Sequence, residues 1–371
     1  MRIAYILNTL AMGGTERLVV KLAEGMIARG HTVEIVTLRV AADSDMAASL
    51  VANRLGITGN PFTLPRGFLR GIRTFRAFRP DVIHANNFHG NLMARALRAF
   101  IPPAAIVSTI HNVFEGGAMR SLALRLTDPL SHHTAAVCET AVETAIHRRV
   151  VPRNKCTVIA NGIDGTEFAP NAERRIRLRR ENGLTSEFVW LASGRLAPAK
   201  DLPNLLHAFA QVHAAAPNAR LWIAGEGNRR ESQRLRALAA SLEIGGSIER
   251  LGLRRDIPAL LDAADGFVLA SAWEGMPLAL AEAMAMEKSF AATDVGGVRE
   301  LAGPCGMLVP AGAPDRLAAA MLKQMSLPHE LRSAQGKAAR QRILQLFSIE
   351  QTIQKWESLY KLAVAHRANR S

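Results

Sequence analysis

Two glutamates eight residues apart, Glu274 and Glu282, are the strongest candidates for chemistry in this sequence. The apolar run 266–271 predicts a short buried strand, and Pro277 suits the first position of a helix that we predict to run through Ala285. Glu282 then lies roughly 7–8 Å along the helix axis, and the free N–H groups of the helix N-terminus lie between the two carboxylates. This arrangement suits a ligand with hydroxyl groups at both ends and phosphates in the middle, such as a nucleotide-sugar.

The alternative for these glutamates is a simple one. A glutamate before a helix can be a partner of the helix dipole, and a glutamate inside a helix usually lies on a solvated face. The neighbours of Glu282 are almost all apolar, however, and a carboxylate in such a helix needs solvent or a polar partner.

A pair of cations occurs earlier in the same half of the chain. Arg195 follows the predicted strand 188–193, and Lys200 precedes a helix that begins at about Leu202 and that Asp201 can cap. A guanidinium and an ammonium group that converge beside free N–H groups can hold a diphosphate. The alternative is ordinary surface charge near a helix cap.

Two histidines, His84 and His111, each end a predicted buried strand of the first half. Ligands of open parallel sheets collect outside the carboxyl ends of the strands, which favours a functional position over that of an ordinary core histidine. Nearer the N-terminus, Gly13 and Gly14 form a turn after the first strand. Two small residues let the backbone approach a phosphate or a sugar closely, although an ordinary tight turn has the same composition.

The order of the elements indicates an α/β fold with two parallel sheets. Strands and helices alternate from Arg2, and the alternation restarts after a polar, arginine-rich stretch that follows the turn 161–164. A chain of 371 residues is of a length for two domains. We predict an N-terminal domain at 1–166, a C-terminal domain at 167–345 and a final helical segment at 346–371.

Composition restricts the partners. The formal charge of +14 and the pI near 10.7 predict an anionic partner, but nucleic acid ranks lowest because the basic residues are spread along the chain and only 5% of residues are aromatic. The sequence has no run of 18 or more apolar residues, so we predict no helix that spans a membrane. Three cysteines without paired spacing indicate a reducing cytoplasm and no zinc site. The run 43–45, Asp-Ser-Asp, has the form of a metal-binding pair, but we interpret it as a solvated loop.

A basic amphipathic helix is predicted between Arg66 and Arg79. One of its faces carries four arginines, which are Arg66, Arg70, Arg73 and Arg76. This face is a candidate for contact with anionic lipid, and the alternative is a helix packed on the sheet with its arginines in water.

Four motifs together resemble the retaining family 4 glycosyltransferases of the GT-B fold. They are the G-R-L-x-P-x-K-D run at 194–201, the E-x-x-P-L-x-L-x-E-A block at 274–283, the N-G-I-D turn at 161–164 and the G-G-x-E loop at 13–16. The resemblance covers nearly the whole chain. It implies two Rossmann-like domains that face a central cleft, and a C-terminal helix that crosses back to the first domain.

The resemblance also implies a role for each residue of these motifs. Arg195 and Lys200 bind the donor diphosphate, Glu282 the ribose hydroxyls, and Glu274 the transferred sugar. The backbone that shapes the sugar pocket comprises Gly275, Met276, Pro277, Leu278 and Ala279. Gly13 and Gly14 face the donor phosphate from the other domain, and His111 lies near the reacting carbon. Glu16 lies on the acceptor side, to which we also assign His84.

The predicted activity is transfer of a hexose-type sugar, with retention, from a nucleoside-diphosphate sugar to a glycan or lipid-linked acceptor in surface polysaccharide or lipopolysaccharide biosynthesis. No metal and no cofactor are expected, because Arg195 and Lys200 already neutralise the diphosphate. We expect a cytoplasmic protein that associates peripherally with the inner face of the cell membrane. The alternatives are a nucleotide-sugar epimerase or phosphorylase of the same fold, and a non-catalytic sugar- or lipid-binding subunit of a glycan assembly complex.

Overall fold

The first seven strands form one parallel sheet. In the computed structural model of the protein, the described residues are 1–11, 13–39, 50, 52–58, 60, 62–114 and 116–368. The sheet has the strand order β3-β2-β1-β4-β5-β6-β7. The strands are β1 (Arg2–Leu7), β2 (Thr32–Thr37), β3 (Ala52–Arg54), β4 (Val82–Asn86), β5 (Ala105–Ile110), β6 (His133–Ala136) and β7 (Cys156–Val158).

Helices connect these strands because parallel neighbours need a crossover. They are α1 (Gly14–Ala28), α2 (Thr63–Phe78), α3 (Asn87–Leu97), α4 (Ala118–Thr127) and α5 (Glu139–His147). Helix α3 contacts both α2 and α4, so these three helices lie side by side on one face of the sheet.

The next six strands form a second parallel sheet with the order β10-β9-β8-β11-β12-β13. They are β8 (Phe188–Ser193), β9 (Ala219–Ala224), β10 (Ile248–Gly252), β11 (Gly266–Leu269), β12 (Ser289–Thr293) and β13 (Met307–Val309). The helices of this part are α6 (Ala172–Glu181), α7 (Leu202–Ala215), α8 (Arg229–Ser241), α9 (Ile257–Ala263), α10 (Leu278–Ala285), α11 (Val298–Ala302), α12 (Pro314–Ser326) and α13 (His329–Leu346).

The chain divides into two compact units that do not follow chain order. The first unit is Met1–Gly162 together with Ile349–Ser371, and the second is Ile163–Ser348. The last helix, α14 (Ile349–Ala368), packs against α1 and against β4 and β5 of the first sheet. Its apolar stripe is buried, with Trp356, Leu359, Tyr360 and Ala363 at most 7% exposed. The predicted return of the C-terminal helix to the first unit is therefore confirmed, as is the prediction of two parallel α/β sheets.

Helix α10 begins at Leu278, one residue later than predicted, because Pro277 has an extended ψ of 107° and occupies the N-cap position. Asp201 caps α7 as predicted, and its carboxylate accepts a hydrogen bond from the N–H of Asn204 at 3.4 Å. The Asp-Ser-Asp run at 43–45 lies outside the described residues. No helix in the described part of the chain has the length and apolar content to cross a bilayer.

Candidate functional site

The candidate site of the second unit is built by loops that leave one edge of the second sheet. Strands β9, β8, β11 and β12 are neighbours, so the loops after their carboxyl ends lie side by side. Backbone hydrogen bonds join these loops. The N–H of Leu196 donates to the carbonyl of Glu226 at 2.8 Å, and the N–H of Ala272 donates to the carbonyl of Ala199 at 2.9 Å. The N–H of Gly297 donates to the carbonyl of Gly275 at 2.7 Å, which ties the loop after β12 to the loop after β11.

Glycines permit this close approach at two points. Gly225 has a φ of +143°, and a Cβ there would clash with the carbonyl of Gly194. Gly296 has a φ of +55°, and a Cβ there would clash with the carbonyl of Glu274. Side chains at these positions would push the loops apart, so both glycines hold candidate site residues in place.

Lys200 and Glu274, predicted on separate grounds, meet in the structure. The Nζ atom of Lys200 lies 2.5 Å from Oε1 of Glu274. The Ser271 hydroxyl donates to the same carboxylate oxygen at 2.6 Å. Glu274 is only 7% exposed, so these contacts hold a buried carboxylate in one orientation.

Arg195 and Lys200 line one pocket at the carboxyl ends of β8 and β11. Ser193, Gly194 and Ser271 also line it, and the apolar part of its lining includes Ala192, Leu202, Leu205, Ile223 and Val268. Two cations beside apolar side chains in one pocket attract an anion.

Helix α10 supplies the second glutamate. Glu282 is 4% exposed and lies among the buried residues of α10, whereas Leu278 and Ala279 at the start of the helix remain partly exposed. Met276 and Pro277 are buried just before the helix. The two glutamates therefore belong to the interior of the second unit, and the first turn of α10 is accessible.

In the first unit, His111 follows β5 and is held by Asn86 at the end of β4. The Nε2 atom of His111 lies 2.9 Å from Oδ1 of Asn86. The Nδ2 atom of Asn86 donates to the carbonyls of Ile6 at 3.5 Å and His84 at 3.4 Å, which assigns its Oδ1 as the acceptor for His111. Nε2 of His111 then carries the proton. Burial lowers the pKa of His111 to about 4, so the ring is neutral near pH 7.

His84 occupies a different environment from the one predicted. It is 1% exposed, its Nδ1 lies 2.6 Å from the Tyr360 hydroxyl, and its Nε2 lies 2.6 Å from the Thr109 hydroxyl. Its ring also stacks on Trp356 with centroids 4.2 Å apart. Burial, with the nearby His111, holds the pKa of His84 well below its usual range. This is the environment of a core histidine. Both ring nitrogens already have hydrogen-bond partners within the protein, which argues against contact with an acceptor substrate.

The glycine turn of the first unit begins α1. Gly13 is the N-cap residue and Gly14 the first residue of the helix. The Glu16 carboxylate folds back over Gly13, where an added Cβ would meet it. An acidic side chain in this position complements the helix dipole, so Glu16 has a structural role at the start of α1.

The four arginines predicted for a membrane face are all exposed on α2, but they are not equivalent. Arg70 donates to the carbonyl of Leu55 at 3.3 Å, and Arg76 donates to the carbonyl of Phe100 at 2.9 Å. These two side chains help to fasten α2 to the rest of the unit.

Three site features were missed from the sequence. Ser271 ends the apolar run before Glu274, and its position three residues ahead of that glutamate was the available signal. Asn86 lies two residues beyond His84, and nothing local indicated that it contacts His111. Nothing in the sequence indicated that Gly296 lies against the backbone of Glu274. Among the described residues, no group of three His, Cys, Asp or Glu side chains is placed to hold a metal ion.

Two family profiles match this chain. Residues 12–167 match the profile described as Glycosyltransferase Family 4, and residues 187–326 match the profile described as Glycosyl transferases group 1. The two matches together span most of the chain and include all the loops of the candidate sites.

Curated proteins with similar sequences include two bacterial enzymes. The UDP-Gal:alpha-D-GlcNAc-diphosphoundecaprenol alpha-1,3-galactosyltransferase of Escherichia coli is 26% identical over 294 residues, which are 76% of this chain and 75% of that protein. A glycogen synthase of Mycobacterium tuberculosis is 29% identical over 297 residues, which are 74% of this chain and 67% of that protein.

Solved structures show the same architecture. Anabaena HepE in complex with UDP and glucose superposes with a TM-score of 0.87 at 20% identity, covering 97% of this chain and 99% of that one. WaaG, a glycosyltransferase involved in lipopolysaccharide biosynthesis, superposes with a TM-score of 0.75 at 17% identity, covering 96% and 99%. At these identities the likeness shows the fold, and it confirms the predicted GT-B fold class.

Proposed function

Because this chain belongs to the family 4 glycosyltransferases of the GT-B fold, we propose that it transfers a hexose-type sugar with retention, from a nucleoside-diphosphate sugar to a glycan or lipid-linked acceptor. The observation that carries the proposal is the cluster of Lys200, Glu274 and Arg195 at one edge of the second sheet. It combines cations for a diphosphate with a buried carboxylate for sugar hydroxyls.

Each side chain of this cluster has a proposed task. Arg195 and Lys200 bind the diphosphate, and the first turn of α10 adds backbone N–H groups of the kind that bind anions. Glu274 accepts hydrogen bonds from hydroxyls of the transferred sugar, and Glu282 accepts them from the ribose. The backbone hydrogen bonds between the loops keep these groups in place before the donor binds, which lowers the free-energy cost of reorganisation during the reaction.

The proposed transfer takes place on one face of the sugar. The bond between C1 and the β-phosphate oxygen breaks, and the acceptor oxygen forms its bond to C1 on the same face. The departing phosphate oxygen receives the proton of the acceptor hydroxyl. Arg195 and Lys200 stabilise the charge that develops on the leaving diphosphate, and we propose that this makes a divalent metal unnecessary.

His111 is proposed to lie near the reacting carbon. With Nε2–H directed to Asn86 and a lowered pKa, it remains neutral and brings no positive charge towards an oxocarbenium-like sugar. Gly13 and Gly14 are proposed to approach the donor phosphate, and Glu16 is proposed to lie on the acceptor side.

Similar proteins support a choice of donor and acceptor. The name of the E. coli relative specifies UDP-galactose and a diphosphoundecaprenol-linked acceptor, and HepE has been solved with UDP-glucose. We therefore propose a uridine diphosphate sugar as donor and a glycan of surface polysaccharide or lipopolysaccharide biosynthesis as acceptor. A lipid-linked acceptor would place the protein in the cytoplasm at the inner face of the membrane, where the exposed Arg66 and Arg73 of α2 face anionic lipid.

The donor is tested by a thermal-shift panel of UDP, GDP and ADP sugars with the full chain. A bound donor at 100 times its dissociation constant stabilises the folded state by about 2.7 kcal/mol. We expect a shift with at least one UDP sugar, and a panel without any shift would contradict the donor site.

The reaction is tested by analysis of the product formed from that donor. An α-linked donor should give an α-linked product by NMR, in reactions with and without excess EDTA. A β-linked product contradicts retention, and activity that EDTA abolishes and Mg²⁺ restores contradicts metal independence. Release of an epimerised nucleotide-sugar, or a requirement for free phosphate or nucleoside diphosphate, would replace transfer by the epimerase or phosphorylase reaction.

A further inference from the structure

Helix α4 exposes an apolar stripe on the outside of the first unit. Of its ten residues only Leu124 is buried. Met119 is 78% exposed, Leu122 is 46% exposed and Leu126 is 71% exposed. Spacings of three and four residues place these side chains on one face of the helix, and Leu130, 41% exposed, follows directly after it. A contiguous set of exposed large apolar side chains indicates a surface that binds something.

The stripe is exposed although the helix is firmly held from its inner side. Arg95, 2% exposed, donates to the carbonyl of Leu124 at 2.8 Å and to the hydroxyl of Thr127 at 3.0 Å. The buried Asp128 at the end of the helix accepts from Lys155 at 2.9 Å. These contacts fix the C-terminal turn of α4 against the unit, so its outward face is a built surface.

The charged side chains of α4 have one sign. Arg120 and Arg125 are exposed on α4, and no residue of the helix is acidic. Asp128, the first acidic residue after the helix, is buried and paired. An apolar stripe flanked by cations is complementary to a layer whose interior is apolar and whose surface is anionic.

We propose that the Met119, Leu122 and Leu126 stripe of α4 inserts into the headgroup region of an anionic phospholipid bilayer. Arg120 and Arg125 would lie at the level of the lipid phosphates. The inference rests on the proposed function for its purpose, because a lipid-linked acceptor is reached at such a surface. Helix α4 follows β5 and His111, so insertion at its N-terminal end would bring the lipid surface to the sheet edge that carries His111.

This proposal adds α4 to the predicted membrane face of α2. Arg70 and Arg76 of α2 donate to backbone carbonyls of their own unit. Helix α2 offers charge for long-range attraction and also exposes Leu64 and Leu69, at 52% and 55%, with Phe62 directly before it at 79%. Helix α4 adds the apolar surface of Met119, Leu122 and Leu126 for insertion. The charged and the apolar contributions differ in their response to salt, since screening weakens the first more than the second.

Flotation with vesicles tests the proposal. The full chain is mixed with vesicles of phosphatidylethanolamine and phosphatidylglycerol, or with vesicles of phosphatidylcholine alone, at 0.15 M salt. We expect the wild type to float with the anionic vesicles. The triple variant Met119→Gln, Leu122→Gln and Leu126→Gln should lower the partition coefficient tenfold or more, and Arg125→Gln should lower it about fivefold. Glutamine keeps a helix propensity close to that of leucine and methionine.

A matched control uses exposed apolar residues of the second unit. Ile176, Leu331 and Leu346 are 69%, 53% and 47% exposed on α6 and α13. Their triple replacement by glutamine should leave flotation unchanged. A wild type that stays at the bottom, or equal loss of flotation in both triple variants, would overturn the proposal.

Insertion is separated from adsorption by fluorescence. Brominated phosphatidylglycerol should quench the added tryptophan of Leu126→Trp and leave that of Leu331→Trp unquenched. Equal quenching of the two would overturn insertion at α4. A dimer of the wild type that the α4 triple variant dissociates, measured by light scattering, would replace the bilayer by a second copy of this chain.

Donor binding provides the readout that separates this inference from the proposed function. The thermal shift with UDP should be the same in the wild type and in the α4 triple variant, because α4 lies outside the second unit. Flotation without any nucleotide shift would support the membrane surface while contradicting the donor site. A thermal shift with UDP but no flotation would support the donor site and contradict the membrane surface.

Discussion

Helices α10 and α4 are both short and rich in apolar residues, but α10 is mostly buried and α4 is mostly exposed. Six of the eight residues of α10 are buried, and it packs against β11, β12 and α13. Only one of the ten residues of α4 is buried, and among helices its main neighbour is α3. The comparison shows that apolar content alone does not indicate a core element, because the number of layers around a helix decides how much of it is covered. We associate the covered helix with a preorganised donor site and the uncovered one with an acceptor at a surface.

The largest expected difference is in stability. Leu280 of α10 is fully buried, so Leu280→Ala should lower the free energy of unfolding by about 2–5 kcal/mol. Leu126 of α4 is 71% exposed, so Leu126→Ala should change it by less than about 0.5 kcal/mol. Urea denaturation of both variants measures the contrast. Equal losses in the two variants would mean that α4 is covered in solution and would break the comparison.

The next effect is on catalysis at the donor end. Lys200→Ala removes a cation from the proposed diphosphate site and should lower turnover by on the order of 10²-fold or more. Steady-state kinetics with the preferred donor measures it. Lys337→Ala, an exposed lysine of α13, is the control and should retain full activity. A near-normal rate for Lys200→Ala would remove the assignment of the diphosphate site.

The free energy of unfolding should depend on pH through His111, at the edge of the first sheet. His111 has a pKa of about 4 in the folded protein, below the value of about 6.5 for an unperturbed histidine. The unfolded chain therefore binds more protons between these values, so this contribution to stability is complete above about pH 6.5 and is lost as the pH falls towards 4. We expect a loss on the order of 2 kcal/mol relative to His111→Gln, which does not titrate there.

The measurement compares urea midpoints of the wild type and His111→Gln at several pH values across this window. His84 also has a lowered pKa and contributes a slope of the same sign, and His111 is one cause of that lowering. The difference between the two curves therefore reports His111 together with its effect on His84. Parallel curves would mean that His111 is not held in a neutral form.

The smallest effect sharpens the description of the donor site. Ser271→Ala deletes the hydroxyl that donates to Glu274 and leaves Lys200 as its partner. We expect kcat/KM to fall about fivefold, equivalent to about 1 kcal/mol, because one hydrogen bond to a positioned carboxylate is lost. Ser326→Ala, an exposed serine at the end of α12, is the control. An unchanged kcat/KM would show that Lys200 alone orients Glu274.

Local sequence patterns were sufficient to predict strands and those site residues that lie in short motifs. Strand β8 was predicted at its observed bounds, and Lys200 and Glu274, both predicted as site residues, are in contact. Residues whose role depends on distant partners were beyond local reasoning. The surroundings of His84 were not apparent from the sequence, because its partner Tyr360 is 276 residues away in the chain.

The exposed stripe of α4 was missed for a related reason. An apolar spacing of three and four residues indicates one face of a helix, but it does not indicate whether another layer covers that face. The close loop contacts at Gly225 and Gly296 were missed as well, because a glycine in a sequence does not specify which backbone it admits. In each case the missing information was the position of a neighbour in space.

The discontinuity of the first unit has a consequence for the order in which the protein is made. The strands of its sheet leave the ribosome first, but the hydroxyl of Tyr360, which bonds to His84 inside that sheet, emerges only after all of the second unit. The second unit is continuous and can acquire its structure during synthesis, since domains generally fold as units. The first unit is thus translated first but completes its fold last, because part of its interior stays uncovered until α14 has been synthesised.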